Sequence, residues 1–152
     1  MSRETEIVAR LKGDPALMAI LTGDIYAYTE IRRQGLSPKG TPDAFDEDGF
    51  LQPCCVVKGR GPVPDPNIYD LHQQMVGRRQ VLEMWLYEDT GYDAIDAAAE
   101  RIYALLQGHP FAKAYPTSWA YTTGPLTDDS AVKGASLKRL DYLIVDVQRA
   151  AA

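Results

Sequence analysis

The side chains that most often perform acid–base, nucleophilic or metal chemistry are few and scattered in this sequence. His72 and His109 have no partner at the i, i+4 spacing with which a helix presents two imidazoles to one metal. His109 also follows a predicted helix, where an imidazolium complements the helix dipole, so we interpret it as structural. The sequence has neither a G-x-S-x-G nor a C-x-x-C motif. We therefore predict no catalytic residue, no cofactor and no enzyme.

One enzymatic alternative stays open and is ranked last. Asp70, His72 and Glu88 could serve a small-ligand-binding or hydrolytic domain, because carboxylates and imidazoles together can move protons. These residues match neither a triad nor a metal-ligand pattern, so the sequence gives the alternative little support.

The two cysteines, Cys54 and Cys55, are adjacent in a predicted strand over residues 53–58. Neighbouring side chains of a strand point to opposite faces, which suits neither a disulfide framework nor a shared metal. We predict that they act as small buried hydrophobic residues.

An acidic cluster lies in the segment 34–52, which is punctuated by glycine and proline. Its register lacks the D-x-D-x-D-G spacing and distal glutamate of a calcium loop, so we predict a solvated surface and no metal site. The cluster consists of Asp43, Asp46, Glu47 and Asp48.

The composition is that of an ordinary globular protein. The 152 residues are 45% hydrophobic and 24% charged, and we predict one domain over residues 1–152. A net charge of −5 gives no electrostatic basis for gripping nucleic acid. No apolar run approaches the roughly 20 residues of a membrane helix, and the polar, acidic start is unlike a secretory signal.

The predicted fold is organised around a strand over residues 80–87. Its residues alternate with period two, which separates an apolar face from a mixed one. The apolar face consists of Leu82, Met84 and Leu86, and the mixed face of Val81, Glu83, Trp85 and Tyr87.

A helix over residues 93–107 follows this strand after a turn. Asp93 is its predicted N-cap and Gly108 its C-terminal stop. We expect its apolar stripe, with Leu105 at the centre, to pack on the apolar face of the strand. The stripe consists of Ile95, Ala98, Ala99, Ile102, Leu105 and Leu106.

The remaining elements indicate an α+β fold, with a mainly antiparallel sheet packed by helices and long projecting loops. Asp14 is the predicted N-cap of a second short helix, which Gly23 closes. Other predicted elements are a helix over 2–12 and strands over 25–31, 53–58, 118–123 and 138–147. Residues 59–77 are predicted to form a loop or hairpin extension, since their many glycines and prolines disfavour regular pairing.

The long loops carry apolar side chains that a lone monomer would expose, and such groups mark protein interfaces. The acids near the phenylalanines would then form a polar rim facing arginines of a neighbouring molecule. The candidate assembly residues are Phe45, Phe50, Asp46, Glu47, Arg32, Arg33, Ile68, Tyr69, Arg78, Arg79 and Leu126.

Three blocks of the sequence resemble the tail terminator and related tail-completion proteins of long-tailed bacteriophages. Residues 7–26 (IVARLKGDPALMAILTGDIY) resemble the opening helix, the D-P-A-L turn into a second helix and the G-x-I-Y strand entry of that family. Residues 79–106 are similar to its central strand and helix, and residues 140–147 (LDYLIVDV) to its closing strand. The segments 34–52 and 59–65 are longer than in the minimal form of the family.

The resemblance implies a structural virion protein on an α+β fold, assembled in the host cytoplasm into a ring that usually has six subunits. That ring would cap the tail tube, end its polymerisation and offer a docking surface to the head. The implied partners are further copies of the chain, the tail tube protein and a head–tail connector or neck protein. DNA would pass through the lumen without sequence-specific binding, and no membrane would take part. The alternative is another neck, head–tail joining or minor tail protein on the same fold, since fold alone does not assign function.

Overall fold

Four helices and six strands follow one another along the described part of the chain. The computed structural model describes residues 3–31, 35–61, 63–69, 75–111, 114–125 and 134–149. The helices are α1 (Arg3–Lys12), α2 (Pro15–Ile20), α3 (Tyr28–Ile31) and α4 (Asp93–Leu106), and Pro42–Ala44 forms a 3-10 turn. The strands are β1 (Ile25–Ala27), β2 (Cys54–Gly59), β3 (Val63–Tyr69), β4 (Met75–Glu88), β5 (Ala114–Pro125) and β6 (Ser136–Arg149). Across these residues, no helix is both long and apolar enough to cross a bilayer.

The six strands form one sheet in the order β1-β2-β4-β6-β5, with β3 attached to β4 outside this path. β1 runs parallel to β2, and all other pairs are antiparallel. β4 and β6 pair along their whole lengths, from Met75 opposite Arg149 to Glu88 opposite Ser136. The predicted α+β class with a mainly antiparallel sheet is confirmed.

The main core lies between the sheet and the helices α1, α2 and α4. Leu82, Met84 and Leu86 are fully buried there, as the period-two pattern of β4 predicts. The helices contribute Ile7 and Leu11 of α1, Leu17 of α2, and Ile95, Ala98, Ile102 and Leu106 of α4.

Helix α4 begins with a cap that the sequence does not predict. The N-cap position is Tyr92 rather than Asp93, and its side chain makes no capping hydrogen bond. Instead, Oε2 of Glu88 at the end of β4 accepts the N–H groups of Ala94 and Ile95, both at 3.2 Å. The preceding strand therefore adds a carboxylate to a helix N-terminus whose first turn already carries Asp93 and Asp96. At the other end, Gly108 adopts a φ of +69°, which allows the chain to turn where predicted.

The predicted strand over residues 25–31 is wrong beyond Ala27, where the chain turns into α3. Glu4 of α1 is buried and accepts hydrogen bonds from the backbone N–H of Thr29 at 3.0 Å and from its hydroxyl at 3.2 Å. The same carboxylate accepts the N–H of Gly59 at 3.0 Å. This contact between α1, α3 and β2 joins residues far apart in sequence, so local alternation does not reveal it.

The prediction that residues 59–77 avoid regular pairing is also wrong in part. β3 pairs with β4 at Val63 opposite Arg79 and again at Tyr69 opposite Val76, with a register shift between them. Among the described strands, β3 pairs with β4 alone, and prolines, which lack an N–H donor, are tolerated at such an edge. The segment is thus a hairpin extension that lengthens β4 to Met75.

We expect the core of α4 to depend on Leu106 rather than on Leu105, because Leu106 is fully buried and Leu105 only partly. Leu106→Ala should cost about 2–5 kcal/mol of unfolding free energy through lost burial and a residual cavity. Leu105→Ala makes the same chemical change one position earlier and should cost clearly less. Urea unfolding of the two variants measures both values, and equal losses would contradict this placement of the helix.

An ion pair links α2 to α4. Oδ2 of Asp14 accepts the N–H of Leu17 at 2.8 Å, which caps α2. Arg101 of α4 donates Nε to the same oxygen at 2.8 Å and Nη2 to Oδ1 at 2.6 Å. The hydrogen bonds from Arg101 lower the pKa of Asp14 from 3.8 to about 2.

Arg101→Met should destabilise the protein near neutral pH and have much less effect in strong acid. The folded-state pKa of Asp14 is depressed, so the stabilisation is present above 3.8 and is lost as the pH falls towards about 2. Thermal melts of the wild type and the variant at pH values of about 7, 4 and 2 should show a Tm difference that shrinks between the last two. A Tm difference that is constant with pH would show that the pair does not act through the charge of Asp14.

Candidate assembly surface

The sheet face opposite the helices carries a second apolar cluster, here called the loop-side cluster. Residues 35–53 fold over this face, so the segment predicted as a projecting loop supplies part of the protein's own core. Its buried members are Leu36, Ala44, Leu51, Cys54, Val56 and Ala135, flanked by the partly buried Tyr26, Ile31, Phe45, Trp85 and Tyr87.

The adjacent cysteines point to opposite faces of the sheet, as predicted. Cys55 belongs to the main core and Cys54 to the loop-side cluster, and both are fully buried free thiols. Burial raises the pKa of Cys54 to about 12 and that of Cys55 further, so both thiols are held protonated. Their role as small buried hydrophobic residues is confirmed.

The two phenylalanines of this segment have different surroundings. Phe45 is partly buried against the loop-side cluster, and its backbone forms a bridge with Leu51. Phe50 is 59% exposed, more than any other large hydrophobic residue whose side chain the structure describes. Phe45 therefore stabilises the chain's own fold, whereas Phe50 is available to another molecule.

Phe50 is held on a closed turn of residues 46–50, here called the Phe50 turn. Oδ1 of Asp46 accepts the N–H groups of Asp48 at 2.9 Å and of Phe50 at 2.8 Å. The N–H of Asp46 donates to the carbonyl of Phe50 at 2.8 Å, and Gly49 takes a φ of +82° that L residues rarely adopt. Glu47 and Asp48 are exposed on the same turn. The backbone thus fixes an exposed ring next to acidic side chains.

A pocket of about 210 Å³, here called the aromatic pocket, opens on the loop-side face. Among the described residues that line it, Lys58 is the charged one, and its Nζ lies 4.7 Å from the ring centroid of Tyr28. Its lining consists of Tyr28, Ile31, Gly35, Leu36, Val56, Lys58, Trp85 and Tyr87.

Two arginines pair with the buried carboxylates Glu83 and Asp141 beside this pocket, on the same face of β4. Glu83 is 3% exposed, and its Oε1 accepts Nε and Nη2 of Arg60 at 3.2 and 2.6 Å. Nη1 of Arg139 lies 3.8 Å from the same oxygen, and Nη2 donates to Oδ2 of Asp141 at 3.0 Å. The guanidinium of Arg139 also lies 5.5 Å from the ring centroid of Trp85, and the indole Nε1 of Trp85 donates to Oε2 of Glu83 at 3.4 Å. Buried carboxylates need such partners, and these partners fix Trp85 in the pocket wall.

The structure brings only some of the candidate assembly residues together. Phe45, Phe50, Asp46 and Glu47 are neighbours in one segment, and Arg79 is exposed on β4 whereas Arg78 is partly buried. Ile68 and Tyr69 lie in β3, where only the backbone is described. Arg32, Arg33 and Leu126 lie outside the described residues.

The residues of the enzymatic alternative are not assembled into a described site. Glu88 accepts hydrogen bonds from the N-terminal N–H groups of α4. Asp70 and His72 lie outside the described residues. Within the part of the chain that the structure describes, no three His, Cys, Asp or Glu side chains converge as metal ligands would.

Sequence reasoning missed the aromatic pocket and the Glu83 network. The one sequence feature that points to them is the mixed face of β4, where Glu83 and Trp85 lie two residues apart on the side away from α1, α2 and α4. A carboxylate at that position would ordinarily be solvent-exposed, and its burial depends on arginines from the end of β2 and from β6.

The chain was compared with protein-family models, curated proteins and solved structures. No family model matches the sequence, and no curated protein matches it either. The solved structures with this fold include a chain from the virion of a native gene transfer agent particle. The TM-score is 0.57 at 13% identity, and the match covers 98% of this chain and 96% of that chain. The likeness establishes a shared fold.

Arg139→Met should destabilise the protein by about 3 kcal/mol or more, because it leaves Asp141 and Glu83 buried with fewer partners. Arg79→Met removes the same kind of charge from an exposed position of the sheet and should change stability by less than about 0.5 kcal/mol. Denaturant unfolding compares the two variants. Equal, small effects would show that the Glu83 network does not need Arg139.

Proposed function

We propose that this protein is a structural component of a phage-like virion, and specifically a tail terminator. In this role it forms a ring that caps the tail tube, ends tube polymerisation and presents a docking surface to the head or neck. Its partners are further copies of itself, the tail tube protein and a head–tail connector or neck protein.

The observation that carries this proposal is the shared fold with a chain of the gene transfer agent virion over nearly the whole of both chains. The family resemblance of residues 7–26, 79–106 and 140–147 supports the more specific terminator role. The exposed phenyl group of Phe50 on a hydrogen-bonded acidic turn, together with an apolar pocket, suits a protein that assembles with other copies or partners.

Deletion of the gene in a host that produces the particle tests this role. Without a terminator, tubes have nothing to stop their growth and no surface for the head, so tail tubes of uncontrolled length and unjoined heads are expected. Negative-stain electron microscopy of the lysate gives the tube-length distribution. Supplying the gene on a plasmid should restore tails of uniform length joined to heads.

Two other outcomes would contradict the terminator role. Tails of normal length beside unjoined heads would assign the protein to head–tail joining instead. If the deletion strain still made intact, infectious or DNA-transferring particles, the protein would have no required role in virion assembly.

A further inference from the structure

Phe50 is an apolar side chain that the described part of its own chain leaves 59% exposed. Burying a phenylalanine is favourable, yet the Asp46 hydrogen bonds and the positive φ of Gly49 hold this ring outward. Because the turn is already closed, little conformational freedom remains to be lost when the ring is bound. These features are those of a preorganised contact group.

The aromatic pocket has the size and lining to take a phenyl ring. Its volume is about 210 Å³, and an apolar cavity of about 150 Å³ is known to take up benzene. Trp85, Tyr87 and Tyr28 offer ring faces and edges, against which aromatic pairs are favourable. Phe50 of the same chain does not fill the pocket, since it is 59% exposed.

The charges around the two features are complementary. Asp46, Glu47 and Asp48 lie on the turn that carries Phe50, whereas Lys58 is the charged residue among the described residues that line the pocket. Arg60 and Arg139 beside Trp85 are paired with Glu83 and Asp141, so Lys58 supplies the positive charge at the pocket. An incoming acidic turn would meet this positive charge, which favours its approach to the pocket.

From these observations we infer that Phe50 of one copy of the chain inserts into the aromatic pocket of a second copy. The contact is heterologous, because it joins two different features of the chain, and it gives a closed ring when the rotation between neighbouring copies closes. The inference rests on the proposed ring-forming function and identifies the contact between neighbouring subunits.

The first test is the assembly state of Phe50→Ser, measured by mass photometry over a dilution series. The wild type should form a species several times heavier than the 16.8 kDa chain, at about 100 kDa for six copies. Loss of the buried ring should raise the concentration for half-assembly about tenfold to a hundredfold. Circular dichroism should be unchanged, because the residue is exposed. Tyr103→Ser is the matched control, since Tyr103 is 43% exposed on α4 and should leave assembly as it is.

The second test is cross-linking between two different variants, Glu47→Cys and Glu30→Cys, which keep both Phe50 and the aromatic lining of the pocket. Glu47 is exposed on the Phe50 turn, and Glu30 is exposed on α3 between the pocket residues Tyr28 and Ile31. The native Cys54 and Cys55 are fully buried, so a new disulfide reports on the introduced thiols. The two variants are co-expressed with different tags, purified together and exposed to mild oxidant. A covalent dimer should form in the mixture and in neither variant alone.

The outcomes separate this contact from the proposed function. Cross-linking of Glu47→Cys with itself would indicate a two-fold contact and overturn the inference. So would unchanged assembly of Phe50→Ser, or a mixture without covalent dimer. In each case the gene-deletion phenotype still decides the terminator role. A terminator phenotype together with a failed cross-link would leave a ring built through another surface.

Discussion

The cover that β4 requires on both faces at residues 82–86 is the constraint on which the rest of the structure depends. β4 pairs with β6 along its full length and with β2 on its other side, so it is an interior strand of the sheet. The face of Leu82, Met84 and Leu86 is covered by helices, as an apolar face requires. The opposite face combines Trp85 with the carboxylate of Glu83, so it needs apolar cover in one place and cationic partners in another.

Three glutamates form hydrogen bonds that join elements distant in sequence. Glu4 accepts backbone hydrogen bonds from Thr29 and Gly59, and Glu88 accepts them from the first turn of α4. Glu83 is held by arginines from the end of β2 and from β6. Charged hydrogen bonds to buried partners are stronger than neutral ones, and their geometry leaves few alternative arrangements. Each glutamate therefore sets the position of one element against another.

The segment over the loop-side face links the monomer's stability to its assembly. Its inner residues, Leu36, Ala44 and Leu51, complete a small core, while its turn directs Phe50 away from that core. The aromatic pocket lies partly under the same segment, because Leu36 lines it. Folding of the segment thus forms both halves of the proposed contact at once. A chain that has not folded this face would offer its neighbour neither the Phe50 side chain nor the aromatic pocket.

Local sequence by itself determined the elements whose patterns are strong and self-contained. The alternation of β4, the stripe of α4 and the cap of α2 by Asp14 follow from spacing and side-chain chemistry within one turn or strand. The opposite placement of Cys54 and Cys55 follows from the same geometry.

Other features were decided by the tertiary structure alone, because contacts between residues distant in sequence override the local pattern there. Glu4 accepts hydrogen bonds from Thr29 where the predicted strand gives way to α3, and the proline-rich segment pairs with β4 as β3. Burial of Phe45 but not of Phe50 depends on how residues 35–53 cross the sheet, which no local period encodes. The aromatic pocket exists only once α3, β2 and β4 meet that segment, so the sequence contained its residues but not their proximity.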